Sequence, residues 1–275
     1  ASDVYKRQDN IMVTIGIQAP FQTNFTIKTN CNKLANLIRL KHGKYASKKI
    51  IKSDMTIVVK KEQFDYMVYY NGNQLKTTAP LRRIEDIMYD NRKYSETIFA
   101  IHGGAVEYNN GAYLFIAATT AGKTTLTSYL SSNGFGYITD DCILLDRNNF
   151  YIYPFNTPIH LRKGGFDILK HLGAAPKVYN FLDDISIKRY IYSPQNCITH
   201  SLPLKKIYFI ERTNNRNTLE VMSTTERMNY LLKSPIIEYE LNSNYLSFIS
   251  KLSKVKCSKL YYSDMKFVAE VIKNE

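Results

Sequence analysis

Cysteine is scarce in this 275-residue chain: Cys31, Cys142, Cys197 and Cys257 are the only four, and no two of them form a C-x-x-C pair. Neither they nor the five histidines fall at zinc-ligand spacing. That excludes a disulfide scaffold and a zinc ribbon, and fits reduced structural thiols in a cytoplasmic protein. Long hydrophobic runs are missing too. No stretch approaches the ~20 apolar residues that cross a bilayer, and Tyr113 to Ala118, among the longest, reads as a buried strand. No secretory signal is visible at the start, and no internal repeat or low-complexity tract follows. Membrane-spanning, secreted and repeat-array classes are therefore set aside.

What is present is ordinary globular material. Hydrophobic residues make up 44% and charged ones 22% of the chain, enough to build a packed core and to exclude wholesale disorder. The length allows one large domain or two small ones. Lys and Arg number 37 against 24 Asp and Glu, a formal charge of +13. This bias favours anionic partners such as nucleotides, nucleic acid or an acidic peptide. Charge alone fits a lysine-rich soluble surface equally well.

Residues 1–8 have no apolar periodicity and read as a non-native leader, leaving an N-terminal α/β or β-rich region over 9–92 and a larger domain over 93–275. In the first region Met55 to Lys60 is β-rich, and Phe64 to Tyr70 before Asn71-Gly72-Asn73 signals a hairpin. Leu34, Leu37 and Ile38 have helical spacing, as do Leu81, Ile84 and Ile87 after Pro80. In the second, Thr97–Ile101 and Val106–Tyr108 read as two strands. Ala112–Ala118 follows the turn Asn109-Asn110-Gly111 as a buried strand, and Lys123–Ser132 as a helix stopped near Gly134. A strand through Tyr137 and Ile138 leads to Asp140-Asp141, and Cys142–Leu145 and Phe150–Tyr153 flank a turn. Residues 154–203 read as loop-rich, with one short helix around Phe166–Leu172. Strands are then expected at Lys206–Ile210, Leu219–Met222 and Cys257–Tyr262. A capping box at Ser223 opens one helix. Tyr245, Phe248, Ile249 and Leu252 mark a second, and Ser263 starts a third over Asp264–Lys273.

The chemistry concentrates at Ala117-Ala118-Thr119-Thr120-Ala121-Gly122-Lys123-Thr124, which matches the phosphate-loop pattern except that Ala117 replaces its first glycine. Such a loop works because a strand ends, several backbone N–H groups converge, and a helix begins with its positive dipole end toward the phosphates. Lys123 adds a cation for the phosphates and the Thr124 hydroxyl a ligand for Mg²⁺. A short G-K-T match recurs by chance. Here it lies between an expected strand and an expected helix, and Asp140-Asp141 follows at the end of the next strand, where carboxylates can meet the metal. Nucleotide binding is the expectation, with Ala118, Thr119, Thr120, Ala121, Gly122, Lys123, Thr124 and Thr125 around the phosphates.

In order and spacing, His102-Gly103-Gly104-Ala105-Val106, then this loop, then Tyr137-Ile138-Thr139-Asp140-Asp141 resemble the catalytic core of HPr kinase/phosphorylase. They are most similar to its relatives found with modified-peptide gene clusters, lasso-peptide tailoring included. The motif-bearing resemblance covers 98–145, and a looser one continues through Pro154–Arg162. It implies a phosphoenolpyruvate-carboxykinase-like α/β fold and ATP- and Mg²⁺-dependent transfer of the γ-phosphoryl group to a Ser or Thr hydroxyl of a peptide or small protein, in peptide natural-product maturation. By the same resemblance Asp141 is the metal-facing carboxylate with Thr124. Asp140 is the base toward the acceptor, and His102 lies beside it. Arg162 is a candidate phosphate or substrate contact, an exposed loop arginine being about as good a reading. Thr125 stands where HPr kinases have an acidic residue, and the arginine-bearing signature of phosphorolysis is not evident, so neither phosphorolysis nor HPr as substrate is carried over. The alternatives are a kinase of a free small molecule and a non-catalytic nucleotide-sensing or nucleic-acid-binding protein. No RNA-binding motif accompanies the 22 tyrosines, and a homo-oligomer is compatible with all of these readings.

Overall fold

The computed structural model describes residues 12–48, 52–117, 121–173, 178–182, 188–237 and 239–275. The leader reading falls outside these residues, as do Ala118, Thr119 and Thr120 of the loop. The chain is a mixed α/β protein of two compact units. The first takes the chain up to Ser95 together with Tyr179–Ile191, and the second takes Glu96–Val178 and Tyr192 onward.

In the first unit six strands, β1 (Val13–Ile17), β2 (Phe25–Thr29), β3 (Ala46–Ser47), β4 (Met55–Lys61), β5 (Tyr66–Tyr70) and β6 (Asn73–Thr77), form one sheet in the order β3-β1-β2-β4-β5-β6. Only β2 and β4 run parallel, because helix α1 (Asn32–His42) and β3 lie between them in the chain. The hairpin β5–β6 turns on Asn71 and Gly72, both at positive φ, as the Asn-Gly signal predicts. Helix α2 (Pro80–Asp90) begins with its proline in the first turn, where the missing N–H costs nothing. Ile15, Ile27, Ile57 and Val59 of the sheet pack with Leu34, Ile38, Leu81 and Ile84 of the helices, and Ile191 joins them. Each such aliphatic side chain, buried rather than exposed, stabilises the unit by about 1.5–3 kcal/mol.

The second unit is built on β7 (Ile98–Tyr108), β8 (Gly111–Ile116), β9 (Gly136–Thr139), β10 (Cys142–Asp146) and β11 (Tyr151–Tyr153), joined later in the chain by β15 (Leu202–Arg212), β16 (Thr218–Val221) and β17 (Cys257–Tyr262). The order is β11-β10-β7-β8-β15-β17-β16, with β9 also on β7. Strand β15 is long enough to pair with β11 through its start and with β8 and β17 through the rest, so the sheet folds back on itself. Its pairings with β8 and β17 are parallel. Helices α3 (Lys123–Ser132), α5 (Thr224–Leu232), α6 (Ser243–Leu252) and α7 (Met265–Lys273) belong to this unit. The capping box of α5 forms as expected: Ser223 Oγ accepts from the Glu226 amide, and the Glu226 carboxylate accepts from the Ser223 amide.

Three expectations change. First, β7 is one continuous strand through His102-Gly103-Gly104, not two. A Gly-Gly pair reads as a break, yet here both glycines serve close packing. A Cβ on Gly103 would lie 2.7 Å from the Phe115 carbonyl oxygen, and one on Gly104 would collide with the Thr127 hydroxyl of α3. Second, residues 154–203 contain β12 (Ile159–Leu161), α4 (Lys163–His171), β13 (Val178–Leu182) and β14 (Lys188–Tyr192). The helix is the one expected around Phe166–Leu172; the three strands are too short for their periodicity to register in the sequence. Third, Asp264 rather than Ser263 caps α7, its carboxylate accepting from the Lys266 amide at 2.9 Å.

Candidate phosphate-binding and phosphoryl-transfer site

Strand β7 organises the site. On one side it pairs with β8, Gly103 lying opposite Ile116. On the other, β9 and β10 line up one after the other along it, Thr139 opposite Ala105 and Cys142 opposite His102. The two residues between them, Asp140 and Asp141, therefore sit beside Gly103 and Gly104, and the Gly103 amide donates to the Asp141 carbonyl at 3.2 Å. On the opposite side of the same strand, β8 ends at Ile116, opposite Gly103. The bareness of Gly104 lets Thr127 of α3 approach the strand.

The helical side of the loop has the form that phosphate binding requires. Gly122 caps α3 at φ 88°, a left-handed conformation that disfavours any side chain. Its carbonyl accepts the first helical bond, from Leu126 at 2.9 Å. Lys123 opens the helix and is buried, 6% exposed. Its ammonium donates to the Ala117 carbonyl at 2.8 Å and so bridges the two ends of the loop. Burial lowers the pKa of Lys123, and the charge of Asp141 opposes that shift. Thr125, next to the half-buried Thr124, packs against Gly165 in the first turn of α4. Arg162 lies exposed at the N-cap of α4. Among the described residues no hydrogen bond or ion pair joins it to Lys123, Asp140 or Asp141.

The two aspartates are placed differently. Asp140 is 8% exposed and faces inward, where Tyr137 Oη lies 3.2 Å from Oδ1. The same phenol lies 2.9 Å from the Thr157 carbonyl, so its one proton serves either acceptor. Burial and the neighbouring Asp141 push the Asp140 carboxyl up to about 7, against the pull of hydrogen bonds from Tyr137, its own backbone and the Thr124 hydroxyl. Asp141 points outward, its side chain 74% exposed, and pairs with His102 Nδ1 at 3.3 Å. The resemblance assigned His102 to Asp140 and Thr124 to Asp141. The geometry joins His102 to Asp141 and Thr124 to Asp140. Both residues lie at the bend between β9 and β10, outside either strand.

Two residues beside the loop lie in segments, Ile207–Arg212 and Lys259–Ile272, that resemble the same family but point to no role for either side chain. Tyr262, the last residue of β17, donates from Oη to the Ala121 carbonyl at 3.3 Å. Arg212 ends β15 directly opposite it in register. Both reach the loop only through parallel pairing of strands distant in the chain, which no local pattern announces.

Among the described residues no three His, Cys, Asp or Glu side chains form a cluster able to hold a metal by themselves, and no helix is long and apolar enough to cross a membrane. A Mg²⁺ held partly by phosphate oxygens needs no such cluster, since one or two protein ligands suffice. Thr124 and Asp140, a hydroxyl and an inward carboxylate in contact, are a donor set of that kind.

No family model matches the chain, and no curated protein does. Among solved structures, the HPr(Ser) kinase/phosphatase from Coxiella burnetii is similar over 64% of this chain and 94% of its own, with 11% sequence identity and a TM-score of 0.34.

Proposed function

We propose that the second unit binds Mg·ATP at the 117–124 loop and transfers its γ-phosphoryl group to a Ser or Thr hydroxyl of a peptide or small protein, as in peptide natural-product maturation. One observation carries the reading: a buried lysine and a left-handed glycine open a helix beside two carboxylates, one turned in toward Thr124 and one turned out toward His102. A pure nucleotide binder has no use for the outward pair. The outward carboxylate is the accessible one, which suits a macromolecular acceptor.

Mg·ATP would supply the phosphoryl group and the metal charge that offsets its negative oxygens. The chain's own residues position and neutralise. Lys123 gives up the Ala117 carbonyl for a phosphate oxygen, and the N–H groups at the start of α3 face the same charge. Thr124 and Asp140 hold the cation. Asp141, oriented by His102, accepts the proton that leaves the acceptor hydroxyl. This division of labour reverses the one implied by the resemblance and follows from the two contacts above.

The aspartates separate the alternatives. Asp141→Asn keeps the shape and loses the base, so it should bind Mg·ATP nearly normally yet form phosphorylated product about 100-fold more slowly. Asp140→Asn should weaken Mg²⁺-dependent binding itself. Calorimetry with Mg·ATP and ADP release with a panel of serine-containing peptides read the two effects apart. The opposite pattern restores the roles implied by the resemblance. Binding without turnover, for the unaltered protein and every peptide, removes the kinase reading in favour of nucleotide sensing.

A further inference from the structure

Three parallel strands end around the loop. The chain leaves β8 into it. The final residues of β15 and β17, Arg212 and Tyr262, stand opposite each other in register. Tyr262 is 2% exposed and lies so close beneath Gly122 that a Cβ there would come within 2.8 Å of its hydroxyl. The Cδ of Arg212 lies 3.7 Å from that same position. The arginine stem and the phenol thus flank the glycine that caps α3, on the sheet side, with Lys123 on the helix side. The Arg212 charge is felt at the Tyr262 phenol, where it opposes the upward pKa shift caused by burial.

Arg212 is exposed, and no hydrogen bond or ion pair engages it among the described residues. The acids near it in the chain and in space are taken. Glu211 alternates to the other face of β15 and pairs with Lys259 at 3.3 Å, and Asp264 caps α7. A guanidinium with no partner among the described residues, at the C-terminal ends of parallel strands and beside the glycine that caps a helix, stands where α/β folds take up ligands. Its planar fork matches phosphate oxygens.

We propose that Arg212 is a second phosphate cation of the 117–124 loop, gripping the phosphate chain of the nucleotide from the sheet side while Lys123 grips it from the helix. The inference rests on the nucleotide reading above and adds the side chain that makes the site select a polyphosphate rather than a nucleoside.

Calorimetric or competition titrations of Mg·ATP and of magnesium pyrophosphate, on the full chain, test it with Arg212→Ala, Arg212→Lys and Lys123→Ala. Because the side chain is exposed, Arg212→Ala should keep the wild-type melting temperature. It should weaken ATP and pyrophosphate by a similar factor of about ten or more, the scale of a lost charged hydrogen bond. Arg212→Lys should recover part of that loss. Unchanged ATP affinity in Arg212→Ala, with a large loss in Lys123→Ala, overturns the second cation and leaves the nucleotide reading standing. Loss for ATP with pyrophosphate unaffected places Arg212 on the nucleoside and also overturns it. Unchanged affinity in both alanine variants removes the nucleotide reading itself.

Discussion

Among the described residues, the first unit buries two threonines, Thr26 and Thr29, and no charged side chain as a whole, whereas the second buries Lys123, Asp140, Asp146 and Lys206 along with a row of hydroxyls on α3. Buried charge is costly unless paired, and the second unit handles it in two ways. Asp146 accepts from the Asn148 amide at 2.8 Å and the Tyr153 hydroxyl at 3.2 Å, and Lys206 pairs with Glu275. These are structural solutions. Asp140 has hydroxyls but, among the described residues, no cation of its own, and burial with the charge of Asp141 pushes its carboxyl up to about 7. The sheet of the first unit is organised for burial alone. The sheet of the second accepts an electrostatic penalty at one place, the junction of β9 and β10 facing the loop.

The largest expected effect follows from that place. Lys123→Ala removes the loop's buried cation and should reduce phosphoryl transfer by up to about 10³-fold, with stability little changed because a buried charge is also removed. Ile27→Ala in the first unit should do the reverse. Its side chain is fully buried, so the variant should lose about 2–5 kcal/mol in chemical denaturation while Mg·ATP affinity of the folded protein stays the same. Should Ile27→Ala also abolish binding at a temperature where the chain is folded, the assignment of chemistry to one unit is wrong.

Gly104→Ala sharpens the comparison from within the second unit. The added methyl meets the Thr127 hydroxyl, so α3 must shift from β7, at a cost of about 1–3 kcal/mol. Melting should record that loss, and nucleotide affinity should fall with it because the same helix carries Lys123. Gly72→Ala in the first unit meets no atom within 4 Å and is strained only by its φ of 77°. It should cost less, about 1 kcal/mol, and leave affinity unaltered.

A separate effect, read by pH rather than by ligand affinity, is an acid lability of the first unit. Burial, with the charges of Lys41 and Arg92, pushes the pKa of His42 down to about 3. The unfolded chain takes up that proton near pH 6.5, and the folded chain refuses it until near 3. Above 6.5 both states hold the side chain neutral, and stability is lost as the pH falls through that window. His42→Leu should therefore show a shallower drop in melting temperature from pH 7 to 4.5 than the unaltered chain. An identical drop means that other groups carry the acid response.

Short-range signals were read well wherever physics is local. The Asn-Gly turn before β6, the proline at the start of α2, the capping box at Ser223 and the span of α3 each depend on a few consecutive residues and appear where the sequence places them. Readings failed where a residue's meaning lies across the fold. Gly103-Gly104 resembles a break until α3 is packed on it, and the strands within 154–203, unlike the helix there, are too short to announce themselves.

The same boundary runs through the site. By itself the sequence determined the candidate groups: a lysine and a threonine opening a helix after a strand, and two adjacent acids, because those features rest on local spacing, while the upstream histidine came with the family resemblance. Tertiary structure decided how the two acids are placed and which distant side chains lie beside them. The bend between β9 and β10 turns Asp140 in toward Thr124 and Asp141 out toward His102. Parallel pairing across 50 residues of chain brings Arg212 and Tyr262 together beside the loop. Hydrogen-bonded register between distant strands is a property of the folded sheet, and no local stretch of sequence encodes it.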